Sequence, residues 1–507
     1  MPKVAAGKRQ RAFRARSRFG CQTCKIRHVK CDEARPACRR CTSTQRACDG
    51  YVSSSIISST LSHTLIISTN RSVGVEPCAR SKRSFDLFAH RTCHQLAGFF
   101  TSPFWERYIL QIAHQEPTIW HMIVAIGSLD EHQAVDTSET RIFALEQYNI
   151  AIKSLLRLSR VPESGPRPDL YLIASILFTC FEDMQGHHSA AGMHILSGSK
   201  LIAEVGSGKH ANRKQQTMGR EPNMGAYLTS EDCIAFFARL NDDVAMIAYQ
   251  YKSKQYQKLL HNNKRKALIF KSIEEAKDFF DCGRWLFIGE CCEHMTTIQD
   301  RTAYLTELLA AFLTSLDALV ERMVPKLTTQ DQTSVAVLRL HTLHAQVTLQ
   351  ISASASTAEC PDNALLPKMR HMVELGQSIV TYLSTTLNTG ARSFCLDMGY
   401  VIPLFTVASQ CPDRSLRREA IRILRFLPRQ EGLWDSLLVA KAAERILEIE
   451  ENLEVQLRGC AGKLMESQLG LAPSVLEINS NGGRLRYIFS QGDNDVSDIM
   501  VEELFTW

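Results

Sequence analysis

The chain has 507 residues, a formal net charge of +6 and 17 cysteines, and 45% of its residues are hydrophobic. A chain of this length can bury a large core, and two or three domains are expected. The N-terminus is basic and has no apolar run of the secretory type, and the longest apolar run, residues 170–181, is too short to span a bilayer. We therefore expect neither secretion nor contact with a membrane.

The positive charge is concentrated at one end of the chain. Residues 1–50 contain fourteen Lys and Arg against three Asp and Glu, and the remainder is slightly acidic. A short segment with so large an excess of positive charge is typical of proteins that bind a polyanion. The eleven cysteines beyond residue 50 repeat no C-x2-C spacing, which indicates reduced thiols of an intracellular protein.

Residues 1–18 form a basic arm with little apolar content, which we expect to be disordered when free. Its basic residues indicate a nuclear import signal or an arm that contacts DNA phosphates, and these two readings do not exclude each other. A merely solvated tail is the third reading. The residues concerned are Lys8, Arg9, Arg11, Arg14, Arg16 and Arg18.

Residues 19–51 contain six cysteines in which one spacing occurs twice, C-x2-C-x6-C followed by x6 and then C-x2-C-x6-C. No histidine lies at a matching spacing, and structural zinc takes four N or S ligands. Six thiolates supply two zinc ions if two of them bridge both ions, so the count favours a binuclear cluster. A disulfide-rich knot, or two unrelated C-x2-C pairs, would not predict the basic residues between the cysteines. The six are Cys21, Cys24, Cys31, Cys38, Cys41 and Cys48.

This segment resembles the fungal zinc binuclear cluster (Zn2Cys6) DNA-binding domain, and Pro36 stands where that family has a loop proline. The resemblance implies two Zn²⁺ ions as cofactors, with Cys21 and Cys38 as the bridging ligands and the other four cysteines as terminal ligands. It also implies double-stranded DNA as the partner, the nucleus as the location and transcription regulation of the RNA polymerase II type as the function.

The predicted DNA contacts lie around the first metal-binding loop. Residues 24–30 predict a short helix, and the resemblance implies that its C-terminal end reads a CGG-like triplet in the major groove. Its polar residues are Lys25, Arg27, His28 and Lys30. His28 departs from the basic residue usual in the family, since a neutral imidazole donates one hydrogen bond with less reach. Arg39 and Arg40 are predicted to contact phosphates, which position the protein without specifying sequence.

Beyond the cluster we predict a flexible linker at residues 52–84, because residues 52–70 hold no charged side chain and no sustained heptad. Without a coiled coil there, a homodimer stays an open prediction. Residues 85–490 predict a large all-helical domain that resembles the regulatory region of many fungal regulators, and its effector is unknown. The predicted helices are 169–184, 189–205, 229–250, 272–295, 301–323, 334–351, 368–387, 415–425 and 433–457.

One helix within residues 142–156 is predicted to bury its apolar stripe in the core. The stripe consists of Ile142, Leu145, Tyr148, Ile152, Leu155 and Leu156, with Glu146 and Lys153 away from it. This stripe is the most explicit packing prediction that the sequence gives.

The tail, residues 491–507, interleaves acidic residues with apolar and aromatic ones, after a strand-like segment at residues 484–490. Such a tail is typical of an activation segment that binds transcription coactivators. The alternative is a C-terminal element that docks on the helical domain.

The sequence thus predicts a mainly α protein with a small Zn2Cys6 module, a flexible linker and a large all-helical domain. We predict a DNA-binding transcription regulator and no enzyme. A glycine-rich stretch at residues 206–209 lacks the first glycine and the Ser/Thr of a phosphate-binding loop. The alternatives are an enzyme built on the helical domain and a nucleic-acid-binding scaffold, each with the cluster as a targeting module.

Overall fold

The computed structural model divides the chain into two compact units, residues 1–70 and residues 71–507. The structure describes part of each unit. Several features singled out in the sequence lie outside the described residues: the basic arm, Lys25, His28, Pro36 and the predicted helix 229–250. The described ranges are 21, 23–24, 27, 29–34, 37–44, 48, 78–135, 138–158, 167–206, 268–288, 298–354, 362–386, 392–432, 434–460, 470–479, 482–490 and 499–506.

In the first unit the described backbone has little regular structure. The amides of Arg27 and Val29 donate to the carbonyls of Thr23 and Cys24, which makes one turn at the predicted first helix. Val29 and Lys30 are not helical, so the predicted helix end at residue 30 was too late. A second short helix, α1, spans Arg39–Thr42 and has Cys38 at its N-cap.

The second unit begins with a layer of helices that surround a first apolar core. The core contains Phe88, Ile112, Ile123, Ile173 and Phe181, all fully buried. The helices are α2 (Ala79–Leu87), which continues through a π-helical segment (Phe88–Thr92) into α3 (Cys93–Ala97), then a second π-helical segment (Phe104–Tyr108), α4 (Ile109–Ala113), α5 (Pro117–Val135), α6 (Ser138–Leu158), α7 (Pro168–Met184) and α8 (His188–Gly206).

The helices that follow surround a second, larger core. Phe312 lies near its centre, and its ring contacts those of Phe270, Phe279 and Phe280. The elements are α9 (Ile273–Ile288), α10 (Ile298–Met323), a 3₁₀ turn (Val324–Lys326), α11 (Thr329–Ser354), α12 (Asp362–Thr386), α13 (Val401–Gln410), α14 (Arg414–Phe426) and α15 (Ser436–Cys460). The mainly α prediction is confirmed.

Local sequence explains several helix ends. Proline stands at the first position of α7, where its missing N–H is not needed. The α7–α8 connection turns at Gly186, whose φ of 76° is a left-handed conformation that glycine adopts without strain. Asp413 caps α14 by accepting from the amides of Ser415 and Leu416 at 2.8 and 3.3 Å.

The predicted packing of α6 is correct for three of the six stripe residues, since Tyr148, Ile152 and Leu155 pack against the first core, and it is wrong for the other three. The buried residues of α6 are Phe143, Ala144, Gln147 and Ala151, whereas Ile142 and Leu156, which were predicted to be core residues, are 57% and 52% exposed. The helix carries apolar residues on two sides, and periodicity alone did not distinguish the side that faces the core.

Two predicted boundaries also change. Helix α2 starts at Ala79, inside the predicted linker, because Cys78 caps it and Phe85 is buried in the first core. Helix α12 starts at Asp362 and includes Pro367, although it was predicted to begin after this proline. The burial of Leu365 and Met369 on either side of Pro367 compensates for the lost backbone hydrogen bond.

A small sheet lies where the two cores meet. Strands β1 (Ser393–Cys395), β2 (Arg429–Glu431) and β3 (Trp434–Asp435) pair in the order β1-β2-β3, the first pair parallel and the second antiparallel. Phe394 enters the first core, and the buried Arg429 guanidinium bonds Glu431 at 3.0 Å. Glu431 in turn accepts from the amides of Tyr400 and Val401 at the start of α13. This part of the predicted all-helical domain is therefore a three-stranded β-sheet.

The C-terminal region forms a second antiparallel sheet, with strands β4 (Gly470–Asn479), β5 (Gly482–Ser490) and β6 (Ile499–Thr506) in the order β4-β5-β6. Strand β5 includes the segment predicted to be strand-like. Strand β6 lies in the predicted tail and pairs with β5, while docking on the helical domain and coactivator binding both stay predictions.

One stretch among the described residues, Thr302–Met323 in α10, is long and apolar enough to cross a bilayer by length and composition. Its opposite face carries the exposed Asp317 and Glu321. An apolar stripe buried in the second core and a charged outer face are typical of an amphipathic core helix. The buried stripe consists of Leu305, Leu309, Phe312, Leu316 and Leu319.

Candidate metal centre and nucleic-acid interface

The six predicted metal ligands come together in the first unit. The sulfurs fall into two groups of four, and within each group all sulfurs lie within 4.8 Å of one another. Cys21 and Cys38 belong to both groups. The first group adds Cys24 and Cys31, and the second adds Cys41 and Cys48.

The sulfur–sulfur distances fit tetrahedral zinc. The Sγ atom of Cys38 lies 3.5 Å from that of Cys21 and 3.6 Å from that of Cys24, and Cys41 Sγ lies 3.8 Å from Cys21 Sγ. Four sulfurs at the usual zinc–sulfur distance are about 3.8 Å apart in a tetrahedron. The donor set and its spacing therefore fit two zinc ions that share two sulfurs.

The sequence repeat reappears as a repeat of hydrogen bonds. The amides of Cys24 and Cys41 donate to the sulfurs of Cys21 and Cys38 at 3.4 and 3.3 Å. The amides of Cys21 and Cys38 donate to the sulfurs of Cys31 and Cys48 at 3.4 and 3.5 Å. Each half thus folds around its own first and last cysteine, and the N–H donors stabilise thiolates.

Without a cation the cluster would hold protonated thiols. Burial raises the pKa of Cys21 to about 12, and it also raises the pKa values of Cys24 and Cys38. A coordinated thiol is deprotonated because the metal charge stabilises the thiolate. The arrangement therefore requires bound metal to become a set of charged ligands.

Asp32 connects the two halves independently of the sulfurs. Its carboxylate oxygens accept from the amides of Arg39 and Arg40 at 3.1 and 3.2 Å, in the first turn of α1. A carboxylate at this place satisfies amides that a helix start leaves without a partner. The sequence analysis did not predict this role of Asp32. Its position directly after Cys31 and seven residues before Arg39 could have indicated a cap for the following helix.

The predicted DNA-contacting residues fall into three groups. Arg39, Arg40 and Lys30 are exposed and therefore accessible to DNA. Arg27 is half-buried, and its guanidinium lies 3.4 Å from the Thr44 hydroxyl in the other half of the module. Lys25 and His28 lie outside the described residues, so their contacts stay predictions.

Other histidines and cysteines have local roles. The Nδ1 atoms of His187 and His188 lie 2.9 and 3.0 Å from the carboxylates of Glu182 and Asp183, where they close the α7–α8 turn. None of the cysteines whose side chains the structure describes is in a disulfide. Outside the cluster, Cys78 is exposed and four others are buried: Cys93, Cys180, Cys395 and Cys411.

Comparison with protein families gives two matches. The family described as the fungal Zn(2)-Cys(6) binuclear cluster domain, which binds two zinc ions, matches residues 19–55. The family described as the fungal specific transcription factor domain matches residues 83–436. The second match covers more than half of the chain, with the whole first core and most of the second.

Several curated proteins are similar to this chain. The aspercryptin biosynthesis cluster-specific transcription regulator atnN of Emericella nidulans is 30% identical over 226 residues, 38% of this chain and 36% of the relative. The transcription regulator lscL of Purpureocillium lilacinum is 26% identical over 202 residues, 36% of this chain and 48% of the relative. The chain thus spans between a third and a half of these relatives. No solved structure matches.

Proposed function

Because the chain belongs to the fungal Zn(2)-Cys(6) transcription regulators, we propose that it is a nuclear regulator of RNA polymerase II transcription that recognises CGG-like DNA triplets. The observation that supports this proposal is the double set of sulfurs next to the exposed Arg39 and Arg40. The relatives' names describe transcription regulators, which agrees with a binding protein rather than an enzyme.

We assign the two zinc ions to the two sulfur groups, with Cys21 and Cys38 as bridging ligands. Cys24 and Cys31 would complete the first site, and Cys41 and Cys48 the second. Zinc with four sulfur ligands has no open position for water, so its role when bound is structural. The cysteines hold the two halves of the module in one fixed orientation.

In the proposed complex, the turn after Cys24 lies in the major groove, where Lys25, Arg27, His28 and Lys30 approach base edges. Hydrogen bonds to guanine N7 and O6 would select the triplet. Arg39 and Arg40 contact phosphates, and their backbone position is fixed by Asp32. The basic arm adds phosphate contacts or carries the import signal.

Two further parts of the proposal concern partners. A homodimer would place two clusters on one duplex, and the half-site spacing would follow from its geometry. Coactivator binding by residues 491–507 stays a prediction. The strand β6 lies in this segment and pairs with β5. Loss of reporter transcription on deletion of residues 491–507, with unchanged DNA binding, would support the coactivator role.

The proposal is tested by selection from random duplexes with the zinc-loaded full-length protein. We expect enrichment of CGG-like triplets, and sequencing the bound pool also reports the spacing between two triplets. A pool that stays random after several rounds would contradict the proposal. The matched control is Cys24→Ala, which removes one terminal ligand and should abolish enrichment.

A further inference from the structure

Arg27 and Thr44 form a polar contact that joins the two halves of the module. The Nη1 atom of Arg27 donates to the Thr44 hydroxyl at 3.4 Å. The same hydroxyl donates to the carbonyls of Arg40 and Cys41 at 3.0 and 3.1 Å, at the C-terminal end of α1. A hydroxyl has one hydrogen and two lone pairs. Because the carbonyls take the hydrogen of Thr44, its lone pairs are left to accept from Arg27.

This contact continues the repeat of the sequence. Three pairs of residues occupy equivalent positions in the two halves, and successive pairs are three residues apart in the chain. The pairs are Cys21 with Cys38, Cys24 with Cys41, and Arg27 with Thr44. Their side-chain atoms lie 3.5, 3.8 and 3.4 Å apart, respectively. Residues three apart share one face of a helical turn, so the two turns face each other along a line of contacts that ends at Arg27 and Thr44.

The contact fixes the direction of the Arg27 guanidinium. Within the described part of the chain, Nη1 is the one side-chain nitrogen of Arg27 that has a hydrogen-bond partner. The Nε and Nη2 atoms form another edge of the same rigid plane, and two N–H groups on such an edge match the N7 and O6 atoms of guanine. Because the plane is rigid, a partner at Nη1 also determines where the Nε–Nη2 edge points.

The residue type at position 44 suits a supporting role. Thr44 is uncharged, whereas a second cation at this equivalent position would repel the guanidinium of Arg27. Its hydroxyl is anchored to the backbone at the end of α1. The start of α1 is held by Asp32, whose carboxylate accepts from two backbone amides there. The helix is thus tied to the first half of the module at both of its ends.

We infer that Thr44 is a positioning residue for Arg27 and that its hydroxyl determines how well the module discriminates guanine in the triplet. This role of Thr44 refines the proposed function and rests on it. Thr44 acts through Arg27 and not by its own contact with a base. The hydrogen bond is long and lies at the surface, so its contribution to discrimination is severalfold and not hundredfold.

The test compares the affinities of the zinc-loaded full-length protein for two duplexes at fixed salt. One duplex contains a CGG triplet, and in the other both G·C pairs of its guanines are replaced by A·T pairs. Wild type should prefer the CGG duplex. Thr44→Ala should lower this preference by about threefold to tenfold, because the guanidinium loses its support. Thr44→Ser should keep the preference, because serine retains the hydroxyl.

Thr42→Ala is the matched control. Thr42 is also an exposed threonine of α1, and its hydroxyl donates to the carbonyls of Cys38 and Arg39 at 3.3 and 3.2 Å. It has no hydrogen bond to Arg27, so Thr42→Ala should keep the preference for the CGG duplex.

A double-mutant cycle isolates the pair. In an Arg27→Ala background, Thr44→Ala should change the preference no further, because the side chain that Thr44 positions is gone. Metal content by mass spectrometry should stay at two zinc ions in every variant. A second loss of preference in the Arg27→Ala background would overturn the inference.

Equal preferences of Thr44→Ala and Thr44→Ser would also overturn it. The same holds for a Thr44→Ala protein that loses zinc, or that binds both duplexes more weakly by the same factor, since Thr44 would then be a purely structural residue. A wild-type protein without any preference between the duplexes contradicts the proposed function, and the role of Thr44 falls with it. Wild type alone therefore reports on the proposed function, and the Thr44 variants report on the inference.

Discussion

In the described part of the N-terminal module, residues 19–51, the buried residues are cysteines. In the helical body, which comprises the helices α2 to α15 and their two cores, the buried residues are mainly aromatic and aliphatic. The helical body gains stability from apolar surface removed from water, and this contribution needs no ligand. The sulfurs of the module attract one another only through the ions between them. The two regions of one chain should therefore respond to different perturbations.

Removal of zinc should give the largest difference between the responses of the module and the helical body. A strong chelator should unfold the module and abolish triplet binding, because metal binding supplies about 10–16 kcal/mol in small zinc domains. The helical body should keep its far-ultraviolet circular dichroism and its unfolding midpoint in urea. Triplet binding that survives complete zinc removal would contradict the metal-held module.

Single cysteine changes sharpen the comparison inside the module. Cys38→Ala should lose both zinc ions, because Cys38 belongs to both sulfur groups, whereas Cys48→Ala should keep about one. Metal content by mass spectrometry of the purified protein distinguishes the two outcomes. One zinc retained by Cys38→Ala would refute the bridging assignment.

The reverse experiment perturbs only the helical body. Phe312→Ala should lower its free energy of unfolding by about 3–5 kcal/mol, because the ring is fully packed against other aromatic rings. Urea denaturation measures the change, and zinc content should stay at two per chain. Phe426→Ala is the matched control, since Phe426 is 58% exposed and should change stability little.

A change at His28 should affect DNA binding alone. His28→Lys should tighten binding to a CGG-containing duplex by about 1 kcal/mol, if the ammonium reaches a phosphate or guanine. Titration of the duplex at fixed salt measures the change, and the unfolding of the helical body serves as the internal control. Unchanged affinity would place His28 outside the interface.

An effect of similar size is expected at Asp32. Asp32→Ala removes both acceptors at the start of α1, and Asp32→Asn keeps one acceptor with the same loss of charge. Both variants should keep two zinc ions, and the alanine variant should bind the triplet less tightly than the asparagine variant, by less than about tenfold. Equal affinities of the two variants would show that the cap does not position Arg39 and Arg40.

Much of the helical body could be predicted from the sequence. The positions of α7, α10, α14 and α15 agree with the structure within a few residues, because apolar periodicity is a local property. Which face of a helix is buried is not local, and α6 shows this since Phe143 rather than Ile142 reaches the core. The sheet of strands β1 to β3 was not predicted, because strands of two or three residues are too short to show an alternating pattern.

By itself the sequence predicted the six-cysteine set that the structure brings together, because six cysteines at one repeated spacing leave few other ways to satisfy a tetrahedral ion. It also determined the helical class of the larger unit. Only the tertiary structure decided that Asp32 ties one half of the module to the other and that Ile142, Leu145 and Leu156 face solvent. Both depend on which segments meet in space, and the spacing of residues along one segment does not contain that information.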